Sequence, residues 1–130
     1  MAQQPIELIL LRQWASFLAL PVFITDGAGN LLFYNEPAEL LLGRRYDEAG
    51  EMPVEQLAGL FATESEEGSP LPSADLPLSV ALETRRPAHR RFRMRGLDGA
   101  WRIIEVTAFP VEGQGERHLG AVAIFWEAGG

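Results

Sequence analysis

Two adjoining runs near the carboxyl end constrain this chain more than anything else in it. From Trp101 to Val111 and from His118 to Glu127 the sequence is dense in β-branched and aromatic residues. The turn-prone Glu112-Gly113-Gln114-Gly115-Glu116 joins them, which predicts an antiparallel hairpin. Apolar groups fall on both faces of both strands, so the sheet they belong to must be covered on each side. A small sheet enclosed in that way suits a sensor more often than a catalyst.

The rest of the chain supplies the covering elements. Residues Pro5 to Leu20 predict a helix whose polar side is narrow, limited to Arg12, Gln13 and Ser16. Ile6, Ile9, Leu10, Trp14, Phe17 and Leu18 occupy most of its circumference, wider than the stripe of an ordinary surface helix. It therefore needs two partners, its own sheet and a second copy of itself, and Pro21 ends it. Val22 to Asp26 and Leu31 to Asn35 predict a second hairpin around Gly27-Ala28-Gly29-Asn30. Asn35 reads as the N-cap of a short helix, with Pro37 in its first turn and Gly43 at its end. Val54 to Phe61 predicts one or two helical turns, and Thr63 to Ser73 a loop. A longer helix is expected from an Asp75 N-cap to about Arg86, closed by Pro87. Arg90 to Arg95 alternates as a strand, and Gly96-Leu97-Asp98-Gly99 turns into the Trp101 strand. The sum is an α+β fold of five antiparallel strands, with helices inserted between the second and third.

In that order these segments resemble a PAS sensor domain, from about Phe17 to Glu127. Leu20 to Asp26 with Gly29 is similar to the family's first strand and turn. Tyr34 to Glu39 with Leu41-Leu42-Gly43 resembles its second strand and capped helix. Leu76-Pro77-Leu78, Ala81-Leu82 and Pro87 resemble its long helix and exit. Leu97-Asp98-Gly99, Ile104 to Val111 and Leu119 to Ile124 are similar to its last turn and strands. The resemblance implies a PAS-like curled sheet over residues 21–127, the PAS domain, and the wide apolar surface of the N-terminal helix makes residues 1–20 the expected dimerisation helix, lying on the sheet's outer face. The family's Asp-Ile-Thr junction to an output helix is missing from the end of the chain, which reads as either a stand-alone PAS protein or a piece of a larger regulator.

Strand alternation and the resemblance together place the candidate site. The inner, ligand-binding set is Phe23, Thr25, Tyr34, Phe92, Met94, Ile104, Val106, Ala108, Val122 and Ile124. It is almost wholly apolar and suits an apolar or aromatic small molecule oriented by a few hydrogen bonds; the same residues could equally fill a solid core. The dimer interface is expected from Ile6, Ile9, Leu10, Trp14, Phe17, Phe109, Leu119 and Phe125.

Composition narrows the chemistry. The chain has no cysteine, which excludes a covalent flavin adduct, a thioester-linked chromophore and thiolate metal ligands. The resemblance implies a haem ligand on the long helix, which has no histidine, so haem is disfavoured; His89 and His118 lie at separate strand edges without a metal-ligand motif. A non-covalent flavin is a lesser alternative. All eleven basic residues are arginine, so Schiff-base chemistry is absent. A formal charge of -7 argues against nucleic-acid binding. The serines at 65, 69, 73 and 79 lack a nucleophile-elbow context, and Asp47-Glu48, Glu64 and Glu66-Glu67 sit in polar sequence, so no catalytic residue is expected. Between Arg85 and Arg95 lie six arginines and no acid. A solvated strand face explains them better than a docking stripe for an acidic partner. No segment reads as a membrane span or signal peptide, and a cytoplasmic location is expected. Two functions follow: a ligand sensor that signals through a homodimer, or a ligand-free protein–protein interaction module whose output partner the sequence does not name.

Overall fold

The computed structural model describes residues 6–42, 51–53, 62–96 and 99–128. Helix α1 (Ile6–Ala15) is followed by strands β1 (Val22–Asp26) and β2 (Leu31–Tyr34) and helix α2 (Glu36–Leu42). Strand β3 (Ala62–Glu64), a 3-10 turn (Ser73–Asp75) and helix α3 (Pro77–Thr84) come next. Strands β4 (Ala88–Arg95), β5 (Trp101–Glu112) and β6 (His118–Glu127) complete the chain. One antiparallel sheet runs β2-β1-β6-β5-β4-β3, so the first strand and the last lie side by side within it.

The α+β class and the curled PAS-like sheet agree with the sequence reading, but the sheet has six strands rather than five. The additional one is β3, inside the stretch expected to be loop. Its polar residues have no apolar alternation to announce a strand; it forms by pairing with Arg93–Arg95 at the sheet edge. Helix α1 stops at Ala15, five residues short of expectation. The Ser16 hydroxyl donates to the Arg12 carbonyl at 2.9 Å and the Leu18 N–H to that of Ala15 at 3.1 Å, tightening the exit ahead of Pro21. Asp75 is in the 3-10 turn, leaving Leu76 as the residue before α3 and Pro77 in its first turn. Arg85 ends α3 in the left-handed conformation (φ 56°). The expected turns at 54–61 and 97–98 and the Gly43 cap lie outside the described residues.

The sheet separates two apolar layers. On its outer face Leu8, Leu11, Ala15 and Leu18 of α1 and its exit pack against Val22, Ile24, Val111, Leu119 and Val122. The spacing of those helix residues keeps them on one side of α1. On the inner face α3 lies against β4, β5 and β6, and Phe23, Tyr34, Phe92, Ile104, Val106 and Phe125 form the second layer.

Asn35 joins these parts. Its Oδ1 accepts the N–H of Val22 at 3.0 Å and of Ala38 at 3.2 Å. Its Nδ2 donates to the carbonyls of Ala15 and Leu20, both at 2.9 Å. The expected cap of α2 therefore also fastens β1 and the end of α1.

Candidate functional site

A cavity of about 500 Å³ lies between the inner sheet face and α3. Phe23 of β1, Phe92 and Met94 of β4, Ile104 and Val106 of β5, and Ala123 and Phe125 of β6 form its wall. Leu76, Pro77, Leu78 and Leu82 close the helical side. Ala62, Thr63, Pro70, Leu71, Pro72 and Ser73 close the sheet edge. Among the described residues the lining carries no charged side chain and no histidine; its polar side chains are the hydroxyls of Thr63, Ser73 and Ser79. Phe23 meets Phe125 edge-on at 4.9 Å between centroids and Tyr34 at 5.8 Å, which stiffens the wall at the β1 side.

Five of the ten residues assigned to the inner site line this cavity: Phe23, Phe92, Met94, Ile104 and Val106. Tyr34 and Ala108 are buried in the inner layer without facing the cavity. Thr25 is fully buried and also off the lining, and among the described residues its Oγ1 has no hydrogen-bond partner.

Val122 and Ile124 are a correction, since both lie in the outer layer. Phe125, expected on the outer face, is instead in the cavity wall. The register explains the inversion. Ala123 pairs with Ala108 and Phe125 with Val106, so those four share the inner face, whereas Val122 pairs with Phe109 and Ile124 with Thr107. Near the start of β6 the register shifts: Glu112 pairs with His118 and Val111 with Gly120, leaving Leu119 as an extra residue. Counting alternation across that bulge reverses every later residue. Gly120 makes the bulge possible. Its φ is 154°, and a Cβ there would stand 1.9 Å from the Thr25 carbonyl oxygen.

The sequence reading missed Leu71, Leu76, Leu78, Leu82, Ala123 and Phe125. The α3 residues had a usable signal, because Leu78, Ala81 and Leu82 share the helix face that a concave sheet needs as its cover. Leu71 had none, being a lone leucine between prolines.

Apart from Phe125, in the inner layer, the expected dimer residues fall into two groups. Ile6, Ile9, Leu10 and Trp14 on the outward side of α1, and Phe17 just past its end, are exposed, with Ile6 at 67%, Leu10 at 55% and Phe17 at 88%. Phe109 and Leu119 lie in the outer layer under α1, packed within the chain itself.

Comparison with known proteins matches this architecture. A PAS domain family model covers residues 19–127. The chain belongs to the PAS domain family. PAS domains are sensory, signal-transducing modules. A PAS domain from Colwellia psychrerythraea is similar at 19% identity and a TM-score of 0.63, over 93% of this chain and 96% of that one. The PAS domain of nitrogen regulation protein NR(II) from Vibrio parahaemolyticus is similar at 20% identity and 0.64, over 92% and 98%. The Rhodobacter sphaeroides LOV protein is similar at 13% identity and 0.73, over 96% of this chain and 69% of that one. At these identities the likeness is one of fold. No curated protein matches the chain.

A flavin–thiol adduct needs a cysteine, and the chain has none. Haem needs an axial ligand, and no described lining residue is a histidine. Among the described residues no group of three or more His, Asp or Glu could hold a metal ion. Nor is any described helix long and apolar enough to cross a membrane.

Proposed function

We propose that this PAS domain senses an apolar or aromatic small molecule held in the inner cavity, and passes its state on through a homodimer built on α1. The cavity carries the reading. A space of about 500 Å³ walled by aromatic and aliphatic side chains, with a few hydroxyls at one side, has the size and chemistry of a small-molecule site. Ligand occupancy would signal by favouring one of two dimer arrangements, which requires different ligand affinities for the two.

Val106→Trp tests this. If the cavity is open to a ligand, the indole occupies it: the protein stays folded while ligand binding is lost. A filled core would instead lose roughly 1–3 kcal/mol through overpacking. Native mass spectrometry and an ultraviolet–visible spectrum of freshly purified protein provide the direct check, by added mass or colour.

The outward side of α1 favours a second reading, a dimerisation or protein–protein interaction module that needs no ligand. Phe17, Ile6 and Leu10 present apolar surface that a second helix would cover. Light scattering decides the dimer: a strict monomer at high concentration, or a dimer that survives deletion of residues 1–19, removes α1 from the signalling route.

A further inference from the structure

The arginine-rich strand β4 has a use that neither reading of the cavity assigns. Beyond β3 the chain turns at Gly68 and returns as Pro70–Leu71, making a small hairpin on the sheet edge. Its two limbs are tied together along their length: the Leu71 N–H donates to the Thr63 carbonyl at 3.1 Å and the Thr63 Oγ1 to the Leu71 carbonyl at 2.7 Å, while the Ser65 N–H donates to the Ser69 carbonyl at 2.8 Å and the Ser69 N–H to the Ser65 Oγ at 3.2 Å. This hairpin supplies Ala62, Thr63, Pro70 and Leu71 to the cavity lining. Pro70 and its successors Pro72 and Ser73 both line the cavity and are exposed to solvent, which puts the mouth beside the returning limb.

On the inner side the hairpin is held by Leu71, which is buried in the inner layer. The hairpin's ladder to β4 is three residue pairs long, Ala62–Arg95, Thr63–Met94 and Glu64–Arg93. Side chains that border open space lose the contacts a packed neighbour would give. The outer side is different. Glu64 Oε1 lies 3.5 Å from Arg93 Nη1, and Glu66 Oε2 lies 3.0 Å from Arg91 Nε. Arg93 is itself positioned by the Trp101 ring, 5.2 Å from its guanidinium carbon. The same guanidinium reaches the Gly68 turn, where a Cβ would come within 3.8 Å of Nη1.

We propose that residues 62–71 are a gate over the cavity mouth, latched from the opposite side of the sheet edge by the Glu64–Arg93 and Glu66–Arg91 ion pairs. The four charges, and the ionic strength around them, then set how fast a ligand enters and leaves. The proposal rests on reading the cavity as a ligand site. Both pairs are partly exposed, so added salt screens them.

The test uses the full chain with two readouts, hydrogen exchange across residues 62–71 and the association rate of N-phenyl-1-naphthylamine, an uncharged fluorescent probe. Glu66→Arg and, separately, Arg91→Glu should raise both by roughly threefold to tenfold. The double variant Glu66→Arg/Arg91→Glu should return both to near wild type. Salt at about 0.5 M should speed the wild type in the same direction. Glu64→Gln serves as a milder variant whose fold is checked by circular dichroism. Single variants that match wild type in both readouts, or a double variant that fails to restore them, overturn the latch. Wild-type protein that takes up no probe at all defeats the ligand reading and the gate with it. Probe uptake at one unchanging rate in every variant defeats the gate alone.

Discussion

Two buried polar side chains with opposite hydrogen-bonding fates show how much a single residue decides here. All four bonds of Asn35 lie in or beside the core. Asn35→Ala would strand two N–H groups and two carbonyls, and a loss of about 2–4 kcal/mol in urea unfolding is expected. Asn35→Asp separates the two halves of the role. It keeps the acceptor for Val22 and Ala38 but sets a carboxylate oxygen against the Ala15 and Leu20 carbonyls, so it should also destabilise. Thr25 is the reverse case, a fully buried hydroxyl with no partner among the described residues. Thr25→Val keeps the β-branched shape and removes the unmet polar group, so stability should rise by about 1 kcal/mol in the same assay. A fall would mean that the hydroxyl has a partner beyond the described residues. The sequence made the cap of α2 legible, since asparagine before Glu36-Pro37 is a local signal. It carried no sign of the reach to Ala15, a contact set by tertiary packing twenty positions away.

At the scale of elements, alternation read β4 and β5 correctly, with Phe92, Met94, Ile104, Val106 and Ala108 all in the inner layer. It failed in β6 because one extra residue, Leu119, lies upstream of the strand's main body. A glycine in an apolar run is the visible hint of such a bulge, but it does not say which neighbour is unopposed. Gly120→Ala should therefore be among the most damaging small changes in the chain. Its methyl would collide with the Thr25 backbone and its φ would be strained, for a cost of roughly 3 kcal/mol or more by thermal or urea unfolding. Helix α1 offers a contrast between its faces. Leu8→Ala opens a hole in the outer layer and should cost about 2–4 kcal/mol. Leu10→Gln alters the outward side, 55% exposed, and should leave monomer stability within about 0.5 kcal/mol while weakening any dimer seen by light scattering. The short β3 was not legible, because Ala62-Thr63-Glu64 becomes a strand only by pairing with Arg93, Met94 and Arg95 of β4 opposite it.

Across the whole molecule, the sheet is a partition between two cores that share few side chains. Phe92 belongs to the inner layer and Leu8 to the outer. Phe92→Ala combined with Leu8→Ala should cost the sum of the two single changes to within about 0.5 kcal/mol. A larger coupling would mean that the sheet itself shifts when either layer is thinned. The PAS class was legible at this scale because hairpins, caps and the long helix occur in order, each with local chemistry of its own. The cavity was not, because a void is the difference between wall positions and no run of residues encodes it. One tie constrains how the molecule can move as a body. Since Asn35 rivets the carboxyl end of α1 to β1, that end cannot slide independently. Any rearrangement of the helix must be a swing of its amino end about this pivot, like a lever whose short arm rests on the sheet.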